Sequence, residues 1–302
     1  IAQLESVASP PKVKVSLGGH LLQEPISLFA PRSQPLPNTE FYSQHLLNQS
    51  RRLLLGLPGI TILLLDDDHL RRQLTSELAA EFGLKCVMAG NTGCQMGGWF
   101  NKEINSSDDL KGLKMRIPGL GGDVMAKLGA SPVSLPGGQI YENLVSGAID
   151  ATEWVGPWND GFMKFYEAAK YYYYPGMHEP GSMLALGMNK KWWDSLTKSD
   201  QLIIEGSAAW ENDAMMAEYN MKSGSALTKL VTDQGVKLRQ FSDDVYDSFG
   251  EAAEEVFQTV RAHSPLAKRI DDSFRAARTD LGGWSKISDQ AFLAQRNRVL
   301  GL

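Results

Sequence analysis

The sequence predicts an α/β fold with a largely parallel sheet, divided between two lobes. From Lys114 onward, short apolar segments of strand length alternate with segments at helical spacing, a pattern typical of parallel sheets covered by helices. A chain of 302 residues also exceeds one compact hydrophobic core. The glycine-rich segment Ala89–Gly98 suits a crossing between two such cores.

The first 85 residues predict few elements. An alternating pattern indicates a strand at Lys12–Leu17, a polar segment with several prolines indicates a loop at Pro31–Pro37, and an apolar run indicates a buried strand at Gly59–Asp66. Apolar residues at helical spacing predict a helix over His69–Phe82, with Gly83 as its C-cap.

The middle of the chain carries the clearest alternation. Four consecutive tyrosines in Ala168–Pro175 predict a strand that ends in a turn. Helices are predicted at Gly122–Leu128 and Gln139–Val145, and a capped helical turn at Ser106–Asp109. The remaining predicted strands are Cys86–Met88, Lys114–Ile117, Pro132–Leu135, Ile149–Trp154 and Met183–Asn189.

The C-terminal third is predominantly helical. The stretch Lys198–Leu230 is rich in Ala, Glu, Met and Lys and predicts one helix that is longer than most globular helices. A short strand at Val236–Arg239 separates it from three further predicted helices, at Asp243–His263, Lys268–Leu281 and Ser288–Leu302.

Composition excludes several classes of protein. The 43% hydrophobic and 22% charged residues are ordinary for a soluble globular chain. The net charge of −5 argues against a nucleic-acid partner, which requires a basic surface. No apolar run approaches the roughly 20 residues that span a bilayer. The chain opens at Ile1 without a signal-peptide pattern, as expected of a processed mature chain or a cytoplasmic one.

Most enzyme signatures are missing from the sequence. The glycines lack dinucleotide or Walker spacing, the five histidines lack zinc spacing, and no Gly-x-Ser-x-Gly elbow occurs. The acidic cluster Asp66–Asp68, ahead of a helix, resembles the magnesium site of response-regulator receiver domains. Because Asp108 and Asp109 stand before a helical turn rather than at a strand end, we interpret the cluster as helix-capping residues, with a signalling protein as the alternative.

The two cysteines carry little information. Cys86 and Cys94 lie eight residues apart, without a CxxC pair or a nearby histidine pattern. The spacing fits two small, partly buried thiols and leaves a disulfide open.

One constellation of polar residues follows predicted strand ends. Arg116 ends one strand, Glu153 and Trp154 end another, Glu179 lies in a turn after the tyrosine strand, and Gln95 lies in the glycine-rich crossing. Ligands of open α/β sheets bind beside the carboxyl ends of strands. We therefore expect these residues to lie around one site.

The residue types suit a carboxylate ligand together with a hard cation. A guanidinium matches a carboxylate in bidentate geometry. The oxygens of Glu153, Glu179 and Gln95 are donors that calcium or sodium prefers, and a cation would reduce the repulsion of an anionic ligand by two carboxylates. An alternative remains open: Arg116 and Glu153 form an internal ion pair, and Glu179 is a solvated turn residue.

Several segments of the sequence closely resemble the solute-binding proteins of TRAP transporters, and most closely the subgroup that binds 2-oxoacids such as pyruvate, or lactate, through a metal ion. The similarity runs from about Phe82 to the C-terminus. It is carried by Ala89–Phe100, Asp109–Gly119, Leu135–Tyr141, Gly147–Pro157 and Tyr171–Gly181.

The resemblance implies roles for single residues. Arg116 would clamp the ligand carboxylate. Asn91 and Trp158 would line the pocket. A sodium or calcium ion, bridging to the ligand, would be held by Gln95, Glu153, the Trp154 main-chain carbonyl and Glu179.

The resemblance also implies a two-lobed periplasmic-binding-protein fold, type II-like, with a long connecting helix and a helical C-terminus. Residues 1–88 with about 182–236 would form the first lobe, and 89–181 with about 237–302 the second. The lobes would close on the solute in the periplasm and deliver it to TRAP permease subunits. A homodimer through a swapped C-terminal helix is a further implication.

Two points stand apart from the resemblance. Residues 1–85 depart from the family pattern, so Tyr42 is only a candidate for a ligand contact from the first lobe. The alternative function is a metal-dependent enzyme that acts on a 2-oxoacid. Its nearest candidate base is His178, whose side chain we expect to point away from Glu179 and the site.

Overall fold

The computed structural model describes residues 16–17, 20–21, 69–179 and 181–301. Ser16–Leu17 (β1) and His20–Leu21 (β2) pair as a short antiparallel ribbon. Strand β1 lies within the strand predicted at Lys12–Leu17, whereas β2 lies beyond it. The other features predicted before residue 69 lie outside the described residues, namely the loop Pro31–Pro37, the strand Gly59–Asp66, the acidic cluster Asp66–Asp68 and Tyr42.

A six-stranded sheet forms the centre of the molecule. Five of its strands run parallel to one another, and the strand Gly98–Phe100 (β4) runs antiparallel between its two neighbours. The prediction of a largely parallel sheet is confirmed. In spatial order the strands are β10 (Lys237–Gln240), β8 (Tyr171–Tyr174), β4 (Gly98–Phe100), β7 (Ala151–Thr152), β5 (Lys114–Arg116) and β6 (Ser131–Val133).

Strand β4 is absent from the prediction. Its three residues follow a glycine-rich segment, so neither length nor alternation marks them as a strand. The pairing partners decide its conformation instead, because Trp99 and Phe100 pair with β7 on one side and with β8 on the other.

A separate two-stranded antiparallel sheet is formed by one strand that comes before β4 in the chain and one that comes between β8 and β10. It pairs β3 (Leu84–Asn91) with β9 (Met183–Asn189). Strand β3 is longer than the predicted Cys86–Met88, so the first three residues of the predicted crossing belong to a strand. The irregular segment between β3 and β4 is correspondingly short, from Thr92 to Gly97.

The described residues contain ten α-helices, most of them in the C-terminal half. None of them combines the length and apolar character needed to cross a bilayer. They are α1 (His69–Glu81), α2 (Leu120–Lys127), α3 (Gly137–Val145), α4 (Pro157–Met163), α5 (Phe165–Ala168), α6 (Lys190–Ser195), α7 (Lys198–Thr232), α8 (Asp243–Arg261), α9 (Pro265–Ile287) and α10 (Asp289–Leu300).

The long helix α7 confirms the prediction of one extended helix, and its 35 residues begin at a Thr197 cap. The predicted strands and helices within 69–302 agree with the structure to within three residues at each end, except at the C-terminus of α9. The short helices α4, α5 and α6 are missing from the prediction. Each has at most seven residues, too few for a helical period to be visible.

Helix α9 corrects the prediction Lys268–Leu281. Pro265 occupies the first helical turn, and the Ser264 hydroxyl accepts a hydrogen bond from the Ala267 amide at 3.1 Å. The proline therefore begins the helix rather than preceding it, because its fixed φ suits the first turn. The helix then continues to Ile287.

The capped turn predicted at Ser106–Asp109 is confirmed as a short 3₁₀ helix, Ser107–Leu110. The Asp109 carboxylate accepts hydrogen bonds from the amides of Asn105, at 2.8 Å, and Ser106, at 3.2 Å.

Helices cover both faces of the central sheet. Successive residues of a strand point to opposite faces, and the tyrosine strand shows this clearly. Tyr173 packs with Phe100 in a cluster that includes buried residues of α2 and α8. Tyr172 packs with Trp99 in a second cluster with residues of α3, α5 and α7. The sheet is thus the middle layer of three.

A buried carboxylate ties this sheet to the loop before α4. Asp160 is 1% exposed and accepts four hydrogen bonds. The donors are Trp99 Nε1 at 2.8 Å, the Tyr172 hydroxyl at 2.8 Å, and the amides of Val155 at 3.1 Å and Gly156 at 3.0 Å. Burial raises the pKa of Asp160 to about 6, against the opposing effect of these donors.

The Asp160 pKa predicts a measurable pH dependence of stability. Because the folded pKa lies above the unfolded one, the folded state binds more protons between about pH 4 and 6, and the free energy of unfolding falls by roughly 3 kcal/mol as pH rises through that window. Asp160→Asn should remove this contribution, and it should destabilise the protein at pH 7 by about 1–3 kcal/mol because an amide cannot accept all four bonds that the carboxylate accepts.

Denaturant titrations at several pH values measure both effects. Asp123→Asn, at an exposed position of α2, is the matched control and should leave the pH profile unchanged. Identical profiles for Asp160→Asn and the wild type would contradict the assignment.

Candidate functional site

Arg116 lies at the carboxyl end of β5 and is buried. Its Nη1 donates to the Glu153 carboxylate and, at 3.4 Å, to the Glu153 main-chain oxygen. Its Nε donates to the main-chain oxygen of Leu135 at 3.3 Å. The guanidinium is therefore held by the segments that follow β6 and β7, at the sheet edge where the site is predicted.

Glu153 and Trp154 follow a strand rather than ending it. The predicted strand Ile149–Trp154 is shorter in the structure, and β7 covers only Ala151–Thr152. The Glu153 amide donates to the Arg116 main-chain oxygen at 3.2 Å, so the chain leaves β7 alongside the end of β5. This backbone bond brings the Glu153 side chain, which is 3% exposed, to the guanidinium.

His178 corrects the prediction that its side chain points away. It is 5% exposed, and its Nε2 lies 3.2 Å from Glu153 Oε2. Both carboxylate oxygens of Glu153 thus have a partner, Arg116 on one and His178 on the other. The adjacency of His178 to Glu179 is the one sequence signal that could have placed it here.

Gln95 and Glu179 are joined through a serine that the sequence does not single out. Gln95 Nε2 donates to the Ser182 hydroxyl at 2.8 Å and to the Thr92 hydroxyl at 3.0 Å. The Ser182 hydroxyl in turn donates to Glu179 Oε2 at 2.7 Å. Gln95 Oε1 is buried and has no hydrogen-bond partner within the described part of the chain.

Backbone hydrogen bonds place Gln95 between the two loops of the site. The Met96 amide donates to the Val155 oxygen at 3.0 Å, and the Gly176 amide donates to the Gln95 oxygen at 3.0 Å. The approach at Gly176 requires glycine, because a Cβ there would lie 2.4 Å from the Gln95 oxygen. The residues that follow β7 and those that follow β8 are therefore both hydrogen-bonded to the segment between β3 and β4.

The remaining predicted site residues contact their own surroundings. Asn91 is buried, and its Oδ1 accepts from the Gly93 amide at 2.8 Å, which shapes the turn after β3. Trp158, half-buried on α4, packs against α7. The structure thus brings Arg116, Glu153 and Trp154 into contact, whereas Asn91 and Trp158 lie against the turn and the helix.

The donor set fits a hard cation in one respect. Among residues 69–179 and 181–301, no three His, Cys, Asp or Glu side chains cluster as a metal site. The predicted set differs in kind, since it combines two carboxylates with an amide oxygen and a main-chain carbonyl. A buried acceptor without a donor is costly, and Gln95 Oε1 is such an acceptor. A cation would satisfy it.

The alternative interpretation, an internal ion pair of Arg116 with Glu153 and a solvated Glu179, is confirmed in its first part only. Arg116 and Glu153 do form a buried ion pair. Glu179, however, is half-buried and accepts the Ser182 hydrogen bond, so it is not a freely solvated turn residue.

The cysteines are both free thiols, and the disulfide that their spacing leaves open is not formed. Cys86 is buried, and burial raises the pKa of its thiol to about 12. Cys94 is exposed beside Gln95.

The buried ion pair predicts a large cost for removing one partner. Arg116→Met should lower the free energy of unfolding by roughly 3–5 kcal/mol, because it leaves the Glu153 carboxylate buried without its cation. The double variant Arg116→Met/Glu153→Gln should recover most of this loss. Denaturant unfolding without added ligand measures both.

An exposed pair supplies the control for this comparison. Lys127→Met removes the ion pair with Glu255, whose atoms lie 2.7 Å apart at the surface, and should cost less than about 1 kcal/mol. An Arg116→Met loss no larger than this control would show that the pair is not buried as described.

Residues 65–263 match the model of the DctP family, described as bacterial extracellular solute-binding protein, family 7. The chain is 40% identical over 216 residues to the monocarboxylate 2-oxoacid-binding periplasmic protein of Nostoc sp. strain PCC 7120. That alignment covers 72% of this chain and 59% of the Nostoc protein, so the chain spans less than two thirds of this relative's length.

Two solved structures of TRAP periplasmic solute-binding proteins share the fold. The protein of Colwellia psychrerythraea, with bound calcium and pyruvate, is 40% identical, with a TM-score of 0.71. The protein of Pseudoalteromonas atlantica, with bound sodium and pyruvate, is 38% identical, also with a TM-score of 0.71. Each comparison covers 74% of this chain and 68% of the other.

Proposed function

Since this chain belongs to the DctP family, the bacterial extracellular solute-binding proteins of family 7, we propose that it binds a small monocarboxylate for a TRAP-type transporter. The ligand class is a 2-oxoacid such as pyruvate, or lactate. The family consists of binding proteins rather than enzymes. The observation that carries the proposal is Gln95 Oε1, which is buried and has no hydrogen-bond partner among the described residues, on an amide that bonds through Ser182 to Glu179.

Arg116 is the proposed carboxylate clamp. It is buried, already points at a carboxylate, and has the planar fork that matches one. In the structure this guanidinium donates to the Glu153 carboxylate. On binding, Arg116 would donate to the ligand carboxylate as well or instead, so that the guanidinium keeps a counter-charge.

A sodium or calcium ion is the proposed partner of the ligand on the other side. Its ligands would be Gln95, Glu153, the Trp154 main-chain carbonyl and Glu179. Two carboxylates at the site would repel an anionic ligand, and a bound cation would reduce that repulsion. The chain's contribution is the fixed Gln95 amide, held by Ser182 with its oxygen left for a cation.

The remaining parts of the proposal concern the whole protein. Asn91 and Trp158 would line the pocket. The first lobe would comprise residues 1–88 and about 182–236, and the second 89–181 and about 237–302. The solute would contact both lobes only when they are closed, and so would favour the closed state by its differential affinity. The closed form would act in the periplasm and deliver solute to TRAP permease subunits.

Calorimetry with pyruvate, lactate and longer 2-oxoacids, each with sodium, calcium or a chelator, tests the proposal. We expect cation-dependent binding to the wild type. Arg116→Met should weaken it by about 1.5–3 kcal/mol, the value of a hydrogen bond to a charged group, or roughly 10–150-fold. Gln95→Leu should weaken binding chiefly by lowering the affinity for the cation.

The surface variant Lys127→Met is the control and should bind as the wild type does. Absence of binding in every combination would rule out the proposal. Formation of product from pyruvate would instead favour the alternative, a metal-dependent enzyme that acts on a 2-oxoacid.

We further infer that a second copy of the chain covers the C-terminal helices. None of the residues of α10 is buried, although the helix carries several apolar side chains. Several large apolar side chains exposed on neighbouring helices favour an interface, and a two-fold dimer is the commonest way to cover them. The exposed apolar residues of α9 and α10 are Trp284, Ile287, Phe292, Leu293, Val299 and Leu300.

The dimer is expected in solution at micromolar concentration. Trp284→Asp/Phe292→Asp should raise the dimer dissociation constant at least about 30-fold, since a lost aromatic anchor costs about 2 kcal/mol or more. Trp210→Asp, at a tryptophan of α7 that is 70% exposed, is the matched control and should leave it unchanged. Light scattering after size exclusion measures the mass, and a monomeric wild type would refute the inference.

A further inference from the structure

The indole of Trp154 has one well-defined position beside Arg116. The guanidinium carbon of Arg116 lies over the ring, 5.3 Å from its centroid. Phe165 meets the ring edge-on, with centroids 6.2 Å apart. On a third side the ring fills space that only glycine leaves, because a Cβ at Gly137 would lie 2.7 Å from its Cη2.

Two hydrogen bonds, the first partly buried and the second buried, connect this indole to the long helix α7. Trp154 Nε1 donates to Asn159 Oδ1 at 2.7 Å, and Asn159 Nδ2 donates to the Tyr219 hydroxyl at 3.1 Å. Asn159 is 6% exposed and Tyr219 3%. Away from water such bonds are strong and directional, so they fix the ring plane as well as its position.

The packing of α4 on α7 in turn fixes Tyr219. Its ring meets Trp158 at 5.0 Å between centroids, and Lys222 Nζ lies 4.3 Å from the centre of the same indole. Tyr219 also belongs to a cluster with Val155 and Leu184, the latter on β9. The position of the Tyr219 hydroxyl therefore depends on how α4 and β9 pack against α7.

The contact of the Trp154 indole with Arg116 would matter most for the orientation of the guanidinium if the Glu153 carboxylate moved away from it. In the described arrangement Glu153 orients Arg116. If the ligand and its cation take Glu153 away, the cation–π contact with Trp154 remains to hold the guanidinium in place. An arginine that keeps its orientation loses less conformational freedom on binding.

We propose that Asn159 and Tyr219 are positioning residues for Arg116 that act through the Trp154 indole. They would link the carboxylate clamp to the packing of α4 against α7. The inference rests on the proposed function for its ligand measurement, and a second, ligand-free measurement separates the failure of one from that of the other.

The ligand-free measurement is ¹⁹F NMR of the protein labelled with 5-fluorotryptophan. The sequence has seven tryptophans, and Trp154→Phe assigns the resonance of interest. Arg116→Met and Tyr219→Phe should each shift that resonance, since one removes the cation over the ring and the other releases the hydrogen bonds. Tyr141→Phe, which removes a surface hydrogen bond of 2.8 Å to Glu167, should not.

The ligand measurement is calorimetry with pyruvate and calcium. Tyr219→Phe should weaken pyruvate binding about 3–10-fold, and Asn159→Leu should weaken it more, while the affinity for calcium alone stays the same. The double variant Trp154→Phe/Tyr219→Phe should bind no more weakly than Trp154→Phe, because both changes break one path. A merely structural Tyr219 would give additive losses.

The two measurements leave no ambiguous result. An unshifted Trp154 resonance in Tyr219→Phe overturns the inference, as do additive losses in the double variant. If the wild type binds no pyruvate, the proposed function fails, and the resonance shifts alone decide whether the contacts from α7 orient the arginine.

Discussion

The Asp160 carboxylate is the interaction on which the candidate site depends. It receives hydrogen bonds from a tryptophan of β4, a tyrosine of β8 and two successive amides before α4. The loop between β7 and α4 is therefore fastened to the middle of the sheet. Glu153 and Trp154 belong to this loop, so the position of both beside Arg116 depends on the Asp160 carboxylate.

A second constraint comes from the antiparallel strand in an otherwise parallel sheet. Strand β4 brings the chain into the sheet against the direction of its neighbours, so the crossing from β3 arrives at the carboxyl ends of β7 and β8. Gln95 lies in that crossing and bonds through its backbone to Gly176. Polar side chains from four separate segments thus lie where these strands end, although they are far apart in sequence.

Much of this arrangement could be predicted from the sequence, because strand ends and turn residues have local signatures. Arg116, Glu153, Glu179 and Gln95 are found this way. The contact of His178 with Glu153 and the bridge through Ser182 depend on how two loops pack together, which no local pattern encodes. Strand β4 is missed for the same reason, since its partners determine it.

The exposed thiol of Cys94 has a practical consequence. The sequence has two cysteines, and the buried Cys86, with its thiol pKa of about 12, reacts poorly at neutral pH. Desolvation also raises the pKa of the Cys94 thiol, so labelling is fastest at mildly alkaline pH. A fluorophore attached there would be adjacent to Gln95 in the chain. A fluorophore attached to Cys94 would therefore report binding at the candidate site without an engineered cysteine.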